Sequence, residues 1–381
     1  MRGWRIAAAA ALLGVGNLLC RPGWALFDNY GLDTSYCQQP TVRSTVVYID
    51  DMMMTTGQTD WAIKLATKLR ATLTPGERVS VVRLSPDDGQ SKEYWSGCWP
   101  DYPAAKKEAL ARETYILRQN PVDQIADQKK YFLRDFGAAL TQIYMEARRP
   151  ADQVRIAADN PPRKQILRAL ASDEGRFADS TKTIRAVVYS DLAENSDLGS
   201  VFHPSSDPPA FGQRLGSYLR HGVFYEYGMG ENVRGDPAFQ EQARAFWIGA
   251  LRSMAATVAG LGADLNVPNT LPVHAYAWPV TLTFDNQPLD GRLSLLSGED
   301  GNLVDSWIGI SRLGSAVLNG TFRCTGSATC RLDAETAGGV ATNAPSETLT
   351  MRGSAASLTG KVGVPGQALS FVLKTGQAGG E

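Results

Sequence analysis

Histidine is scarce in this chain: His203, His221 and His274 are all it has in 381 residues. None stands at ligand spacing from another histidine or a cysteine, so each reads as a surface or packing residue. The patterns Gly-x-Ser-x-Gly and His-Glu-x-x-His and a phosphate loop are absent too. That removes the commonest signatures of serine hydrolases, zinc peptidases and nucleotide hydrolases. A field of one charge sign is also missing, because 38 Lys and Arg stand against 39 Asp and Glu, for a net charge of -1. With no basic field, nucleic acid is not an expected partner. The apolar stretch Ile6 to Leu19 is interrupted by Arg21 and Pro22. A membrane-spanning helix needs roughly 20 apolar residues.

What that stretch does fit is a secretory signal. Arg2 and Arg5 precede it, and Gly23-Trp24-Ala25 follows with small residues at the two positions a signal peptidase reads. Cleavage is expected after Ala25, giving a periplasmic or secreted protein with no transmembrane segment after cleavage. Cys20 follows Leu19, where a lipoprotein signal needs a small residue. The remaining cysteines are Cys37, Cys98, Cys324 and Cys330. An even count in an oxidising compartment predicts two disulfides, of which three connectivities are available. Cys324 and Cys330 share one short loop and pair most simply with each other, leaving Cys37 with Cys98.

The periodicity changes once along the chain. Val46 to Ile49 form a continuous apolar run ending at Asp50, as a strand buried on both faces would. Trp61, Leu65, Leu69 and Leu73 mark a helix face, and Arg78 to Leu84 a second strand. Tyr94 to Trp99 suits an edge strand, its aromatics packing near Cys98. Residues 104–147 are helical in pattern, broken at Asn120-Pro121. Ile184 to Ser190 and Gly222 to Tyr227 read as strands, Phe211 to Leu219 and Phe239 to Val258 as helices. Strands alternating with helices predict an α/β domain built on a mostly parallel, doubly wound sheet. From about residue 272, short alternating strands are separated by turn signals such as Asp290-Gly291, Asp300-Gly301 and Asn319-Gly320. The expected division is a signal peptide at 1–25, an α/β domain at 26–270 with a helical insertion at about 100–180, and a smaller all-β sandwich or barrel at 271–381.

The order of elements over residues 44 to about 260 resembles a von Willebrand factor A domain. So do the two acid-terminated strands, Val-Val-Tyr-Ile-Asp50-Asp51 and Val-Val-Tyr-Ser190-Asp191. The resemblance implies a divalent cation at the C-terminal edge of the sheet, with Asp50 and Asp191 as its acids and an open position for a partner's carboxylate. Mg²⁺ is the cation such oxygen ligands would take. The family's two serine positions are Met52 and Met54 here, and a thioether is a poor ligand for a hard cation. Asp50 and Asp191 are therefore expected to be vestigial metal ligands, and no cofactor is expected. Copper binding by Met52, Met53 and Met54 is the weaker reading beside apolar packing or an adaptable contact surface. Gly228-Met229-Gly230 lacks the third glycine of a dinucleotide loop and reads as a turn. Asp50 and Asp51 are adjacent, so their side chains diverge and do not form an acid–base pair.

The function expected is a non-enzymatic, adhesion-type interaction with an unidentified protein of the cell envelope. Its contact edge would be Asp50, Asp51, Met52, Met53, Met54 and Asp191. The alternative is a carbohydrate-binding or envelope-remodelling protein acting through the β domain; a purely structural envelope component is a third reading.

Overall fold

Val46, Val47, Tyr48 and Ile49 show no helical period, and all four are buried at the centre of a sheet. The computed structural model describes residues 34–114, 119–178, 182–203, 211–284, 287–326, 329–337, 346–363 and 370–375. The expected signal segment 1–25 lies outside them. β1 (Arg43–Asp50) pairs in parallel with β2 (Arg78–Ser85) on one side and β5 (Thr183–Tyr189) on the other. The six-stranded sheet runs β3-β2-β1-β5-β6-β8, with β6 at Gly222–Tyr227 and β8 at Thr257–Leu261. Only β3 (Gln90–Cys98), at one edge, is antiparallel. A separate two-stranded pair joins β4 (Ile156–Ala157) to β7 (Val233–Arg234).

Strand residues alternate between two apolar clusters, one on each face. Val47, Ile49, Val187 and Tyr225 meet helices α1 (Asp60–Thr72) and α3 (Pro121–Ala147). Val46, Tyr48, Val188 and Phe224 meet α5 (Ile166–Ala171) and α7 (Phe239–Ser253). The expected helical insertion holds α2 (Ala104–Arg112), α3, α4 (Ala151–Val154) and α5. The expected break is present: α3 starts at Pro121, and the Asn120 side chain caps it by accepting from Val122 N–H at 2.9 Å.

Two helices end earlier than their apolar pattern suggests. α6 covers Phe211–Leu215 rather than reaching Leu219. α7 stops at Ser253 because Ala255 takes a left-handed conformation, φ 59°, after which the chain enters β8. Val258, expected to be helical, is thus a strand residue.

Residues 274–375 form a closed antiparallel barrel of eight strands. They are β9 (His274–Phe284), β10 (Gln287–Ser297), β11 (Trp307–Ile310), β12 (Gly314–Thr325), β13 (Thr329–Thr336), β14 (Thr348–Ser354), β15 (Ser357–Gly363) and β16 (Ser370–Thr375). The expected sandwich or barrel is a barrel, with more and longer strands than the turn signals suggest. Asp290-Gly291 and Asn319-Gly320 are not turns; they lie inside β10 and β12. Gly320 has φ 146°, and a Cβ there would come within 2.2 Å of the Asp333 carbonyl oxygen on the neighbouring strand. Glycine here permits close strand approach rather than reversal. The interior is filled by side chains that include Trp278, Leu293, Leu318, Phe322, Leu332 and Met351, as expected for an eight-stranded barrel. Both disulfides join the expected partners. Cys37–Cys98 ties the segment before β1 to the end of β3, and Cys324–Cys330 links facing residues of β12 and β13.

The barrel is fixed to the sheet by buried charge. Arg43, fully enclosed, bonds Glu77 at 3.0 Å and also reaches Asp305 of the β10–β11 connection and the carbonyl of Thr72. Arg185 donates to Thr45 and Thr72, each at 2.9 Å, and contacts Glu77 at 3.3 Å. Tyr225 donates its hydroxyl to Asp305 at 2.6 Å. Burial opposes ionisation of Glu77, but the two arginines outweigh it and hold its carboxyl below the usual range. Trp307 adds a bond to Thr183 at 3.2 Å, and Ser315 one to the Ala256 carbonyl at 2.8 Å. Removing one member of such a set strands the others without solvent. Asp305→Ala should therefore lower the unfolding free energy by about 3–5 kcal/mol in urea denaturation at neutral pH. A loss under about 1 kcal/mol would mean that Asp305 does not hold the two units together.

Candidate functional site

Parallel strands all present their C-terminal ends to one edge. In an open α/β sheet, ligands collect in the crevice where the connections diverge to opposite faces. Here that crevice lies between the ends of β1 and β5, and the sequence puts Asp50 at one and Ser190-Asp191 at the other. Their side chains do meet, around a group that sequence reasoning did not single out. The Lys164 ammonium lies 2.8 Å from Asp50 Oδ2 and 2.6 Å from Asp191 Oδ1. All three side chains are at most 1% exposed. Ser190 Oγ donates to Asp50 Oδ2 at 2.6 Å, Met52 N–H to Asp50 Oδ1 at 3.0 Å, and Ala193 N–H to Asp191 Oδ1 at 3.0 Å. Reciprocal backbone bonds with Asn195, both 2.9 Å, fix Lys164 just before α5.

The space between the two acids, where the resemblance implies a metal, is thus taken by the chain's own cation. Among the described residues no group of three or more His, Cys, Asp or Glu is placed to hold a metal ion. Asp50 and Asp51 diverge as neighbours on a strand end should: Asp51 accepts instead from Arg83 at 2.8 Å and Ser85 at 2.9 Å.

The contact edge anticipated from the sequence is mostly interior. Of Asp50, Asp51, Met52, Met53, Met54 and Asp191, only Met52 is more than marginally accessible. Met53 and Met54 pack in the cluster beneath α1 and α3. The Met53 sulfur also accepts from Asp191 N–H at 3.0 Å and from the Asn232 side chain at 3.1 Å. Apolar packing is the role their surroundings give these two methionines.

Beside the triad, the same edge opens into a pocket of about 340 Å³. Its walls are aromatic and charged: Trp61 from α1, Tyr189 ending β5, Tyr227 ending β6, and Asp60, Lys64 and Glu231. Trp61 stacks on Tyr189 with ring centres 4.9 Å apart, and Tyr227 lies 4.9 Å from Tyr189 on a tilt. Tyr189 donates to Glu231 at 3.1 Å, whereas the buried Tyr227 hydroxyl has no hydrogen-bond partner among the described residues. Gly228 has φ 90°, and a Cβ there would press within 2.9 Å of the Tyr189 ring. That accounts for glycine in the turn that follows β6.

Three enclosed carboxyls at or near this edge sit close to neutrality. Burial pushes Asp50 up to about 6, with Lys164 pulling the other way. Burial likewise lifts Glu194 to about 7, although it accepts from Leu167 N–H and Ser196. Glu226 on β6 is pushed up to about 8 by burial alone, and neither of its oxygens has a partner among the described residues. Raised carboxyl pKa values often mark acid–base centres. These three are at most 2% exposed, and none of them lines the pocket named above.

No protein-family model matches this chain, and no curated protein sequence matches it.

The Glu226 environment sets a pH dependence with a definite sign. Its folded value, about 8, lies above its ordinary 4.5, so the folded state holds the extra proton. Stability from this group is complete below pH 4.5 and is lost as pH rises through 8. Glu226→Gln should therefore stabilise the fold by about 2–4 kcal/mol at pH 9 while changing little at pH 5. Thermal melts across that range check it; parallel curves for the two proteins would show that Glu226 is solvated.

Proposed function

We propose that this is an exported, A-like interaction protein that grips a protein partner at the C-terminal edge of its sheet without a metal. The observation that carries the reading is the Lys164 ammonium between Asp50 and Asp191. It supplies internally the positive charge that two carboxylates on neighbouring central strands require. The strand order, with one antiparallel edge strand, supports the A-like reading. With the acids engaged inward, the recognition surface moves to the adjoining pocket of Trp61, Tyr189, Tyr227 and Glu231. Asp60 and Glu231 outnumber Lys64 there, and aromatic rings form the walls, so a basic side chain is the natural occupant. The carboxyls with raised pKa are enclosed, which supports binding rather than turnover. The filled barrel interior leaves a saccharide only the outside of that unit, so the carbohydrate reading is the weaker one.

Two measurements test this. Titration of the mature protein with millimolar Mg²⁺ or Mn²⁺ should be silent, whereas Lys164→Ser, which opens space between the acids, should bind Mn²⁺ if it folds. Stoichiometric heat from the unaltered protein, abolished by Asp50→Ala, would overturn the metal-free reading. Capture of the envelope partner should survive EDTA and fall about ten-fold or more with Glu231→Lys, a loss of about 1.4 kcal/mol. Capture that EDTA abolishes would also defeat it.

A further inference from the structure

At the opposite edge of the sheet, the approach to β6 and the end of α7 face the β10–β11–β12 wall of the barrel across a cleft of about 860 Å³. Its charge is one-sided in a protein that is nearly neutral overall. Arg220 and Arg252 come from the α/β unit, and Arg292 and Arg312 from the barrel. Asp290 is the one acid among the lining residues. Trp307, Ile310 and Leu313 give the same cleft an apolar portion. Arg220 is already positioned, lying 4.9 Å from the centre of the Tyr218 ring. Arg252 is half-buried; loss of water disfavours its charge, and Glu347 nearby favours it.

The backbone around the cleft is unusual in a second, independent way. Five non-glycine residues among those described have positive φ, and three of them line this cleft: His221 at 66°, Ala255 at 59° and Arg312 at 68°. Conformations of that kind cost free energy and tend to concentrate at ligand sites. Arg312 is carried by such a residue, and His221 follows directly on Arg220. Clefts between two units are also a preferred location for small-molecule sites.

We infer that this cleft binds a small polyanion, a molecule with two or more clustered phosphate or carboxylate groups on a compact body that can rest against Trp307, Ile310 and Leu313. Guanidinium groups suit both kinds of anion, because their paired N–H donors match two oxygens at once. The site is separate from the pocket at the C-terminal edge and does not depend on what that pocket binds.

The test is calorimetric titration of the full mature chain at low ionic strength with three probes: ADP, citrate and uncharged adenosine. ADP, citrate or both should saturate, adenosine should not, and added salt should weaken the binding. Saturation by ADP alone identifies a phosphate ligand; saturation by citrate alone identifies a carboxylate one. Arg220→Glu combined with Arg312→Glu should weaken the binding about ten-fold or more at unchanged melting temperature. Asp290→Asn, which removes the one acid, should tighten it. Lys130→Glu with Arg134→Glu, an exposed pair on α3, should leave it as it was. If neither anion saturates below about 10 mM, or if the α3 pair weakens binding as much as the cleft pair, the inference is wrong.

Discussion

Two aspartates ending adjacent central strands cannot both be enclosed and ionised without a cation between them, and Lys164 meets that constraint. Much of the C-terminal edge is organised around it. Asp50 is drawn inward with help from Ser190 and from the amide of Met52. Asp191 turns toward the same ammonium and caps the turn at Ala193. Lys164 is itself held by paired backbone bonds to Asn195. Burial alone would disfavour the ammonium, but the two carboxylates prevail and raise its pKa above the ordinary lysine value. A lysine cannot be exchanged for solvent ions as a bound metal can. The edge therefore keeps its geometry whatever the divalent cation concentration around it.

The same logic governs the other end of the sheet at larger scale. Arg43, Arg185, Glu77 and Asp305 are all enclosed and answer one another across the junction of sheet and barrel. Buried pairs of this kind contribute less to stability than their number suggests, because each ion gives up its water. What they provide is discrimination: a barrel docked in another orientation would leave Arg43 without Asp305. The ionic set selects how the two come together, beside the apolar contact of Trp307 and Val317 of the barrel with one cluster of the sheet.

How much of this the sequence revealed follows from which signals are local. Val46 to Ile49, Ile184 to Tyr189 and Gly222 to Tyr227 are short apolar runs between breaks, and all three are strands of the sheet. Asn120-Pro121 is a local start signal and works as one. The early end of α7 depends on Ala255 adopting a left-handed conformation, which no composition rule anticipates. Gly291 and Gly320 resemble turn glycines until the neighbouring strand is known. Lys164 is the clearest example of a residue whose role cannot be read locally. Lys106, Lys107, Lys129, Lys130 and Lys164 all fall within the insertion at 100–180, and nothing in the pattern separates the fifth from the rest. The signal that could have found it was indirect: two acids on buried strand ends, with methionines where hydroxyls were expected, require a positive charge from elsewhere. Methionine burial was likewise out of reach, since a three-methionine run reads equally well as core or as surface.

Barrel closure has a further consequence. An open sheet offers, along its outermost strand, a row of unpaired amides and carbonyls that another polypeptide can adopt as its own neighbour. In the barrel each of the eight strands already has two partners. That unit cannot lengthen by borrowing a strand from a second copy or from a passing unfolded chain. At high concentration it can be crowded against copies of itself without templating fibrous growth. Recognition by this unit falls to its side chains and to the connections between its strands.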